Sequence, residues 1–325
     1  MFIAVTGGTG YLGAHTVKAL LDAGHTVRLL VTPAEQNAPV LAALRGLGTV
    51  ETHVGDVREG TDIAALLEGT DAVIHGAGVV GTDERRTRLM WDVNAYATES
   101  VLTTAVDLGL DPIVSVSSYA ALFPSPTGII TPETPTAPGR RSYAKTKGYA
   151  DQVARRLQFA GHPVVVTYPS SVVGPAFHTA VGVTESGWAP MVRARIAPSV
   201  RGGMAMVDVR DVAAVHARLM RPGRGPHRYI VGGELLGFDE MVDALAVGLG
   251  RPIRRVRMTP GAMRALGRVS DAAGRFVPIA DGLTYEAALL LTAATPVDDS
   301  ATVGDLGIDW RDPRTAIADA VRAHR

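Results

Sequence analysis

Tyr143 and Lys147 stand four residues apart in a run, Tyr143-Ala144-Lys145-Thr146-Lys147, that reads as one turn of a helix. On a helix this spacing stacks the phenol and the ammonium on one face. A phenol with an ordinary pKa of about 10 is a poor acid or base at neutral pH. An ammonium within a few ångströms favours the phenolate, so a Tyr143 placed this way can exchange a proton with a carbonyl or alcohol oxygen. Upstream, 112–117 reads as a strand that brings the hydroxyls of Ser117 and Ser118 to the carboxyl edge of a sheet, where open α/β folds bind ligands. Either hydroxyl is suited to donate to the substrate oxygen.

A second constellation lies at the other end of the chain. Val5-Thr6-Gly7-Gly8-Thr9-Gly10-Tyr11-Leu12-Gly13 sets glycines in a G-x-x-G-x-x-G frame, behind an apolar strand and ahead of an amphipathic segment. The turn needs backbone without Cβ, phosphates must lie against bare main chain, and the N–H groups of a helix start carry positive partial charge. The frame is a mould for a dinucleotide pyrophosphate. With Tyr143 and Lys147 it implies nicotinamide redox chemistry.

The elements that must position these residues alternate. Strand patterns at 2–5, 26–31, 50–54, 72–75, 112–117 and 164–168 are separated by helical patterns at 12–23, 61–67, 93–108 and 142–160. This is the signature of βαβ units around a parallel sheet, hence an α/β, doubly wound Rossmann-type fold. The stretch 123–140, rich in Pro, Thr and Gly, predicts a mobile loop above the site. Beyond Tyr168 the alternation gives way to short irregular pieces near 207–220 and 228–231, then helical segments, which predicts a second, smaller C-terminal substrate lobe. Arginines at 251–275 are interspersed with apolar residues, but Pro260, Gly261, Gly267 and Gly274 interrupt any continuous helix, so the stretch reads as a solvated face.

Composition narrows the function. The 325 residues are 46% hydrophobic, enough for substantial cores, and 32 basic side chains balance 32 acidic ones. No charge field favours nucleic acid or an anionic membrane, which leaves a small molecule as the expected partner. The absence of cysteine removes disulfides, thiol nucleophiles and thiolate metal sites. No spacing suggests a metal site, and no apolar run suggests a membrane span or leader, so a cytoplasmic location is expected.

The ordered set of motifs resembles the extended short-chain dehydrogenases/reductases, of the NAD-dependent epimerase/dehydratase superfamily, over nearly the whole length. It comprises the glycine turn, Asp56-Val57, His75-Gly76-Ala77-Gly78, Asn94, Ser117-Ser118, Tyr143-x-x-x-Lys147 and Pro169-Ser170-Ser171-Val172-Val173-Gly174-Pro175. The resemblance implies catalytic roles for Ser118, Tyr143, Lys147 and Asn94, with Ser118 chosen over Ser117 by its spacing to the tyrosine. It implies NAD(P) contacts from Gly7, Thr9, Gly10, Tyr11, Leu12, Gly13, Thr32, Asp56, Val57, Gly76, Ala77, Gly78, Lys147, Tyr168, Pro169, Ser170, Ser171 and Val172. Asp56 would meet the adenine amino group, and Val172 would close on the carboxamide. His75 reads as a satisfied core histidine. Tyr168 stands where the family usually has arginine. Strand two ends Leu30-Val31-Thr32-Pro33 with neither acid nor base, a weak preference for NADP(H).

The resemblance also divides the chain into 1–175, a cofactor-binding domain with return segments at about 204–220 and 228–232, and 176–325, mainly a substrate lobe. Asp208 and Asp211 fall in a return segment and read as structural, Asp211 near a helix start. The branch resembled most is that of dihydroflavonol reductases and 3β-hydroxysteroid dehydrogenases. It implies reversible hydride transfer to a small hydrophobic ketone or aldehyde. The alternatives are nucleotide-sugar epimerisation or dehydration, with Arg193, Arg195 and Arg201 as candidate diphosphate ligands, and a non-catalytic NADP sensor. Helices 93–108 and 142–160 resemble the pair through which family members form homodimers.

Overall fold

The computed structural model describes residues 1–81, 83–273 and 284–323. The short apolar runs of the first half become β1 (Phe2–Thr6), β2 (Thr26–Val31), β3 (Val50–Val54), β4 (Ala72–His75), β5 (Ile113–Val116) and β6 (Val164–Pro169). Six further strands follow: β7 (Ser171–Val173), β8 (Ile196–Ser199), β9 (Gly203–Asp208), β10 (His227–Val231), β11 (Glu234–Gly237) and β12 (Arg254–Arg257). A seven-stranded sheet runs in the order β10-β6-β5-β4-β1-β2-β3, parallel throughout. Its strand order reverses between β1 and β4. That reversal opens a crevice at the carboxyl ends, where such sheets bind ligands.

The helices are α1 (Tyr11–Asp22), α2 (Pro39–Arg45), α3 (Gly60–Leu67), α4 (Thr87–Met90), α5 (Ala97–Asp107), α6 (Ser142–Phe159), α7 (Val183–Ala194) and α8 (Val209–Arg218). Five more close the chain: α9 (Phe238–Leu249), α10 (Pro260–Ala273), α11 (Tyr285–Ala293), α12 (Ser300–Leu306) and α13 (Pro313–Ala323). Because strand residues alternate, the sheet has two apolar faces. Ile3, Val5 and Ile74 pack with Val17 and Leu20 of α1 and Val212 and Val215 of α8. Ala4, Val73 and Val166 pack with Leu66 of α3, Leu102 of α5 and Val153 of α6. A third core, around Trp188, Met206, Leu236, Leu245 and Ile317, lies under the smaller sheet β11-β9-β7.

Four expectations change. The regions 207–220 and 228–231 are both regular: the first is the end of β9 followed by α8, because Asp208 caps the helix by accepting the Arg210 N–H at 2.8 Å, and the second belongs to β10, which pairs with β6 at the edge of the large sheet. The helix expected at 93–108 starts earlier and is continuous from Thr87 through a π-helical turn at Trp91–Tyr96. The stretch 123–140 is irregular but tied down: Ile130 exchanges backbone bonds with Pro296 and Asp298, Ala137 donates to Ala121, and the guanidinium of Arg155 reaches the Thr134 carbonyl. Within 251–275 the structure forms an exposed strand, β12 beside β8, and then α10, which starts at Pro260 and runs on through Gly261 and Gly267 where a break was expected, Gly267 being packed so closely on Thr284 and Tyr285 that a Cβ would come within 2.8 Å; Gly274 and Arg275 lie outside the described residues.

Candidate active site

A cavity of about 900 Å³ fills the crevice at the carboxyl ends of the sheet. Its floor is the glycine turn. Gly7 has φ +73°, and a Cβ there would come within 2.7 Å of the Ala77 nitrogen, while one on Gly13 would sit 1.9 Å from the Gly7 carbonyl oxygen. Close approach of three backbone segments therefore demands glycine at both positions. Gly10 leads into α1 with no side-chain cap, so the first-turn N–H groups are left for a ligand. Thr9, Gly10, Tyr11 and Leu12 all line the cavity. This cradle of bare backbone fits a dinucleotide pyrophosphate.

At the adjoining strand ends, Thr32, Asp56 and Val57 line the cavity as expected. So does Glu35, which the sequence reading missed. A 3-10 turn at Pro33–Glu35 swings its carboxylate back to β2. There it accepts the Thr9 hydroxyl at 2.6 Å and the N–H and hydroxyl of Thr32 at 2.9 and 2.7 Å. Burial raises its pKa, but those three bonds outweigh it and hold the group below its ordinary value. The overlooked signal was Thr32-x-x-Glu35, the spacing of a capping box, directly after the strand. Asp56 is held by Arg58, whose guanidinium grips both carboxylate oxygens at 2.5–3.0 Å and lowers its pKa.

Gly76, Ala77 and Gly78 leave β4 along the cavity wall. Asn94, in the π-helical turn, is fully buried and does not face the cavity. Its amide accepts the Val79 N–H at 2.7 Å and donates to the Val79 carbonyl at 2.9 Å and to Thr146 at 3.3 Å. His75 lies between the Thr6 and Thr98 hydroxyls at 2.8 and 2.9 Å. Thr98 donates to the Asn94 carbonyl, so it accepts from His75 Nε2; Nδ1 then accepts from Thr6, which in turn receives the Ala77 N–H. Proton by proton, this chain links Ala77 to the turn that carries Asn94.

Ser117 and Ser118 extend from β5, and Tyr143 and Lys147 face them from α6. Burial pushes the Tyr143 phenol up, and the Ser118 hydroxyl bonded to it partly offsets the rise. The direction reverses the expectation that Lys147 would lower it. Lys147 is itself pushed down to about 8 by burial, and its Nζ donates to the Val116 carbonyl at 3.1 Å. Ser117 lines the cavity, but its buried hydroxyl has no bonding partner, whereas the Ser118 hydroxyl is bonded to Tyr143.

Pro169, Ser170, Ser171 and Val172 line the far side, where 171–173 is a strand paired with β9. Tyr168 is placed elsewhere. Strand alternation turns it to the α6 face, fully buried, where its hydroxyl donates to Asp151 beside the Arg155–Asp151 ion pair. Arg193, Arg195 and Arg201 are exposed and outside the cavity. Over the mouth, the second-lobe wall consists of Val181, Gly182, Val183, Thr184, Thr284, Glu286, Ala287 and Leu290. Arg141, just before α6, spans this end with ion pairs to Glu84 at 3.2 Å and Asp271 at 2.7 Å.

The model of the NAD dependent epimerase/dehydratase family matches residues 3–232. The chain belongs to that family. Among its relatives, the sterol demethylase protein B of Methylococcus capsulatus is 30% identical, covering 99% of this chain and 97% of its own. A putative dihydroflavonol 4-reductase of Synechocystis is 27% identical over 98% and 92%. Of solved structures, that of gox2253 superposes with a TM-score of 0.80 at 25% identity, covering 99% and 97%. As an epimerase/dehydratase family member the protein is an NAD(P)-binding oxidoreductase of the extended short-chain dehydrogenase/reductase type, with the Rossmann-type sheet expected from its sequence. Among the described residues, no helix is long and apolar enough to cross a membrane.

Proposed function

We propose that the protein transfers hydride reversibly between nicotinamide and a small, largely apolar ketone or aldehyde. The second-lobe wall carries this reading: among the described residues it offers aliphatic side chains, two threonines and one carboxylate, Glu286, while Arg86 and Arg141 line the cavity from the first domain, and Arg141 is already paired with Glu84 and Asp271. A nucleotide sugar needs cationic side chains there to hold its diphosphate, and Arg193, Arg195 and Arg201 are not among the residues that line the cavity. The names of the relatives, a putative dihydroflavonol reductase and a sterol demethylase protein, agree with an apolar substrate.

In this reading Gly7, Thr9, Gly10, Tyr11, Leu12 and Gly13 hold the pyrophosphate, Asp56 and Val57 border the adenine, and Gly76 to Gly78 and Pro169 to Val172 enclose the nicotinamide end. The bound nicotinamide supplies or takes up the hydride. Tyr143 exchanges the proton with the substrate oxygen, and Ser118 donates to that oxygen. Lys147, buried beside Gly78, offers an ammonium to the ribose and to the phenol. Asn94 acts through Val79 and so positions the wall.

Glu35 supports NAD(H) and not the weakly expected NADP(H). An ionised carboxylate at the end of β2 accepts a ribose 2′-hydroxyl and repels a 2′-phosphate. The cluster of Trp91, Tyr96 and Tyr149, with ring centroids 5.8–5.9 Å apart and Tyr96 53% exposed, supports a homodimer through the helices that carry it.

Two measurements test these readings. Oxidation of reduced cofactor is followed with a panel of cyclic and aromatic ketones; product formation from UDP- and dTDP-sugars in the presence of NAD⁺ is followed separately by chromatography, because epimerisation and dehydration consume no net cofactor, and turnover of the sugars alone would overturn the ketone reading. NADH and NADPH affinities are compared before and after Glu35→Gln. The wild type is expected to prefer NADH, and the variant to lose about tenfold of that preference, or about 1.4 kcal/mol. An unchanged ratio would remove Glu35 from cofactor choice.

A further inference from the structure

The first residue of α1 is fastened to the second lobe. The Tyr11 hydroxyl shares its one proton between the Gly174 carbonyl at 2.8 Å and Glu185 Oε1 at 2.9 Å, and the same Glu185 oxygen accepts the Gly174 N–H at 3.0 Å. His15, one turn along α1, bonds the Pro175 carbonyl through Nε2 at 2.9 Å. The residues between these anchors form a strap from the end of β7 to the first turn of α7. Gly182 lies against the ring: a Cβ there would come within 2.8 Å of Tyr11 Cε1. Val181 to Thr184 and Gly10 to Leu12 all line the same cavity, so the strap closes over the end of the crevice that holds the glycine turn.

We propose that Tyr11 and Glu185 form a latch that controls admission and release of the dinucleotide. The proposal rests on the cofactor reading above, which assigns the pyrophosphate to the backbone of Gly10 to Leu12. A diphosphate seated there lies beneath the strap, and the strap lifts only if the phenol lets go of Gly174 and Glu185. Because the latch consists of protein groups alone, it opposes association and dissociation alike. Its removal changes both rates more than their ratio. Tyr11 and Glu185 are on this account positioning residues.

The test is stopped-flow NADH fluorescence on the full chain, with unfolding temperatures measured in parallel. Tyr11→Phe removes only the hydroxyl and is expected to speed NADH association and dissociation each by about tenfold, the loss of one donor shared between a carbonyl and a carboxylate. Glu185→Ala should do the same. Glu185→Gln keeps a carbonyl oxygen to accept from Tyr11 and should stay near the wild-type rates. If Glu185→Gln instead matches Glu185→Ala, the carboxylate acts by charge repulsion on the diphosphate and the latch is overturned. Wild-type rates in Tyr11→Phe overturn it as well. If neither NADH nor NADPH binds the folded wild type, the cofactor reading itself fails, an outcome distinct from normal binding with unaltered rates.

Discussion

Each face of the seven-stranded sheet buries a histidine between two threonines. On the α1 and α8 face, His216 is bonded by Thr16 at 2.9 Å and Thr167 at 3.2 Å. On the α5 and α6 face, His75 is bonded by Thr6 at 2.8 Å and Thr98 at 2.9 Å. Both rings are driven neutral by burial, His216 to about 4 and His75 to about 3. What differs is where each chain of bonds ends. His216 joins a helix–helix seam to a strand interior. The His75 chain runs onto Ala77 at the cavity wall, and on its other side onto the π turn where Asn94 grips Val79. The same local device thus braces a core on one face and shapes a site on the other, so a residue's burial alone does not say whether activity depends on it.

Two tyrosines that share the α6 side test this distinction most severely. Tyr143→Phe is expected to keep the fold and cofactor affinity while turnover falls roughly a hundred- to ten-thousand-fold, the range for losing a positioned acid or base. Tyr168→Phe should do the opposite. It withdraws one donor from buried Asp151, lowers stability by about 1–3 kcal/mol and leaves turnover unchanged. Steady-state kinetics beside urea unfolding separate the two; near-normal turnover in Tyr143→Phe would dismantle the proposed mechanism.

The histidines give a finer contrast. His75→Ala and His216→Ala each leave two buried hydroxyls without a ring partner and open a cavity, and each should lose roughly 2–4 kcal/mol. Their effects on catalysis should diverge. His75→Ala loosens the wall at Ala77 to Val79 and should weaken NADH binding and lower kcat, whereas His216→Ala should spare both in protein that remains folded. Equal losses of kcat would mean that the His75 chain has no special tie to the site.

Much of this arrangement was legible in the sequence. The glycine turn, Tyr143 with Lys147, and the alternation of the first half were readable because each rests on local spacing, and the cavity gathers every expected cofactor residue except Tyr168. What escaped depends on three-dimensional reach. Glu35 lies beyond the end of β2 and returns only because Pro33 opens a 3-10 turn. The orientation of Tyr168 follows from strand parity, which family position obscures. Asn94 lies on a π turn that no helical period reveals. The arginines of β12 read as a solvated face and are exposed; what escaped is that they lie on a strand, because its pairing partner β8 is distant in sequence.

Smallest over any one pH unit is the pH dependence of stability, and its sign is fixed by burial. A histidine in the unfolded chain takes up a proton below its ordinary value of about 6.5. His75 and His216 in the fold resist protonation until about 3 and about 4. Between about pH 6.5 and 4 the unfolded state therefore binds more protons at both sites. Their contribution to stability is complete above pH 6.5 and declines as the pH falls, by up to about 1.4 kcal/mol per pH unit for each ring. Carboxylates add their own slope in the lower part of this window, so the informative quantity is the difference between proteins. His216→Asn should flatten the slope of unfolding free energy against pH by about one histidine's share, and His75→Asn should flatten it by the same amount over the same window. That equality is what the comparison of the two faces demands: the rings are thermodynamic equivalents in the fold, and they part company only where one chain of bonds reaches the cavity. If either variant keeps the wild-type slope, its histidine is not held neutral by the fold, and the equivalence of the two faces fails.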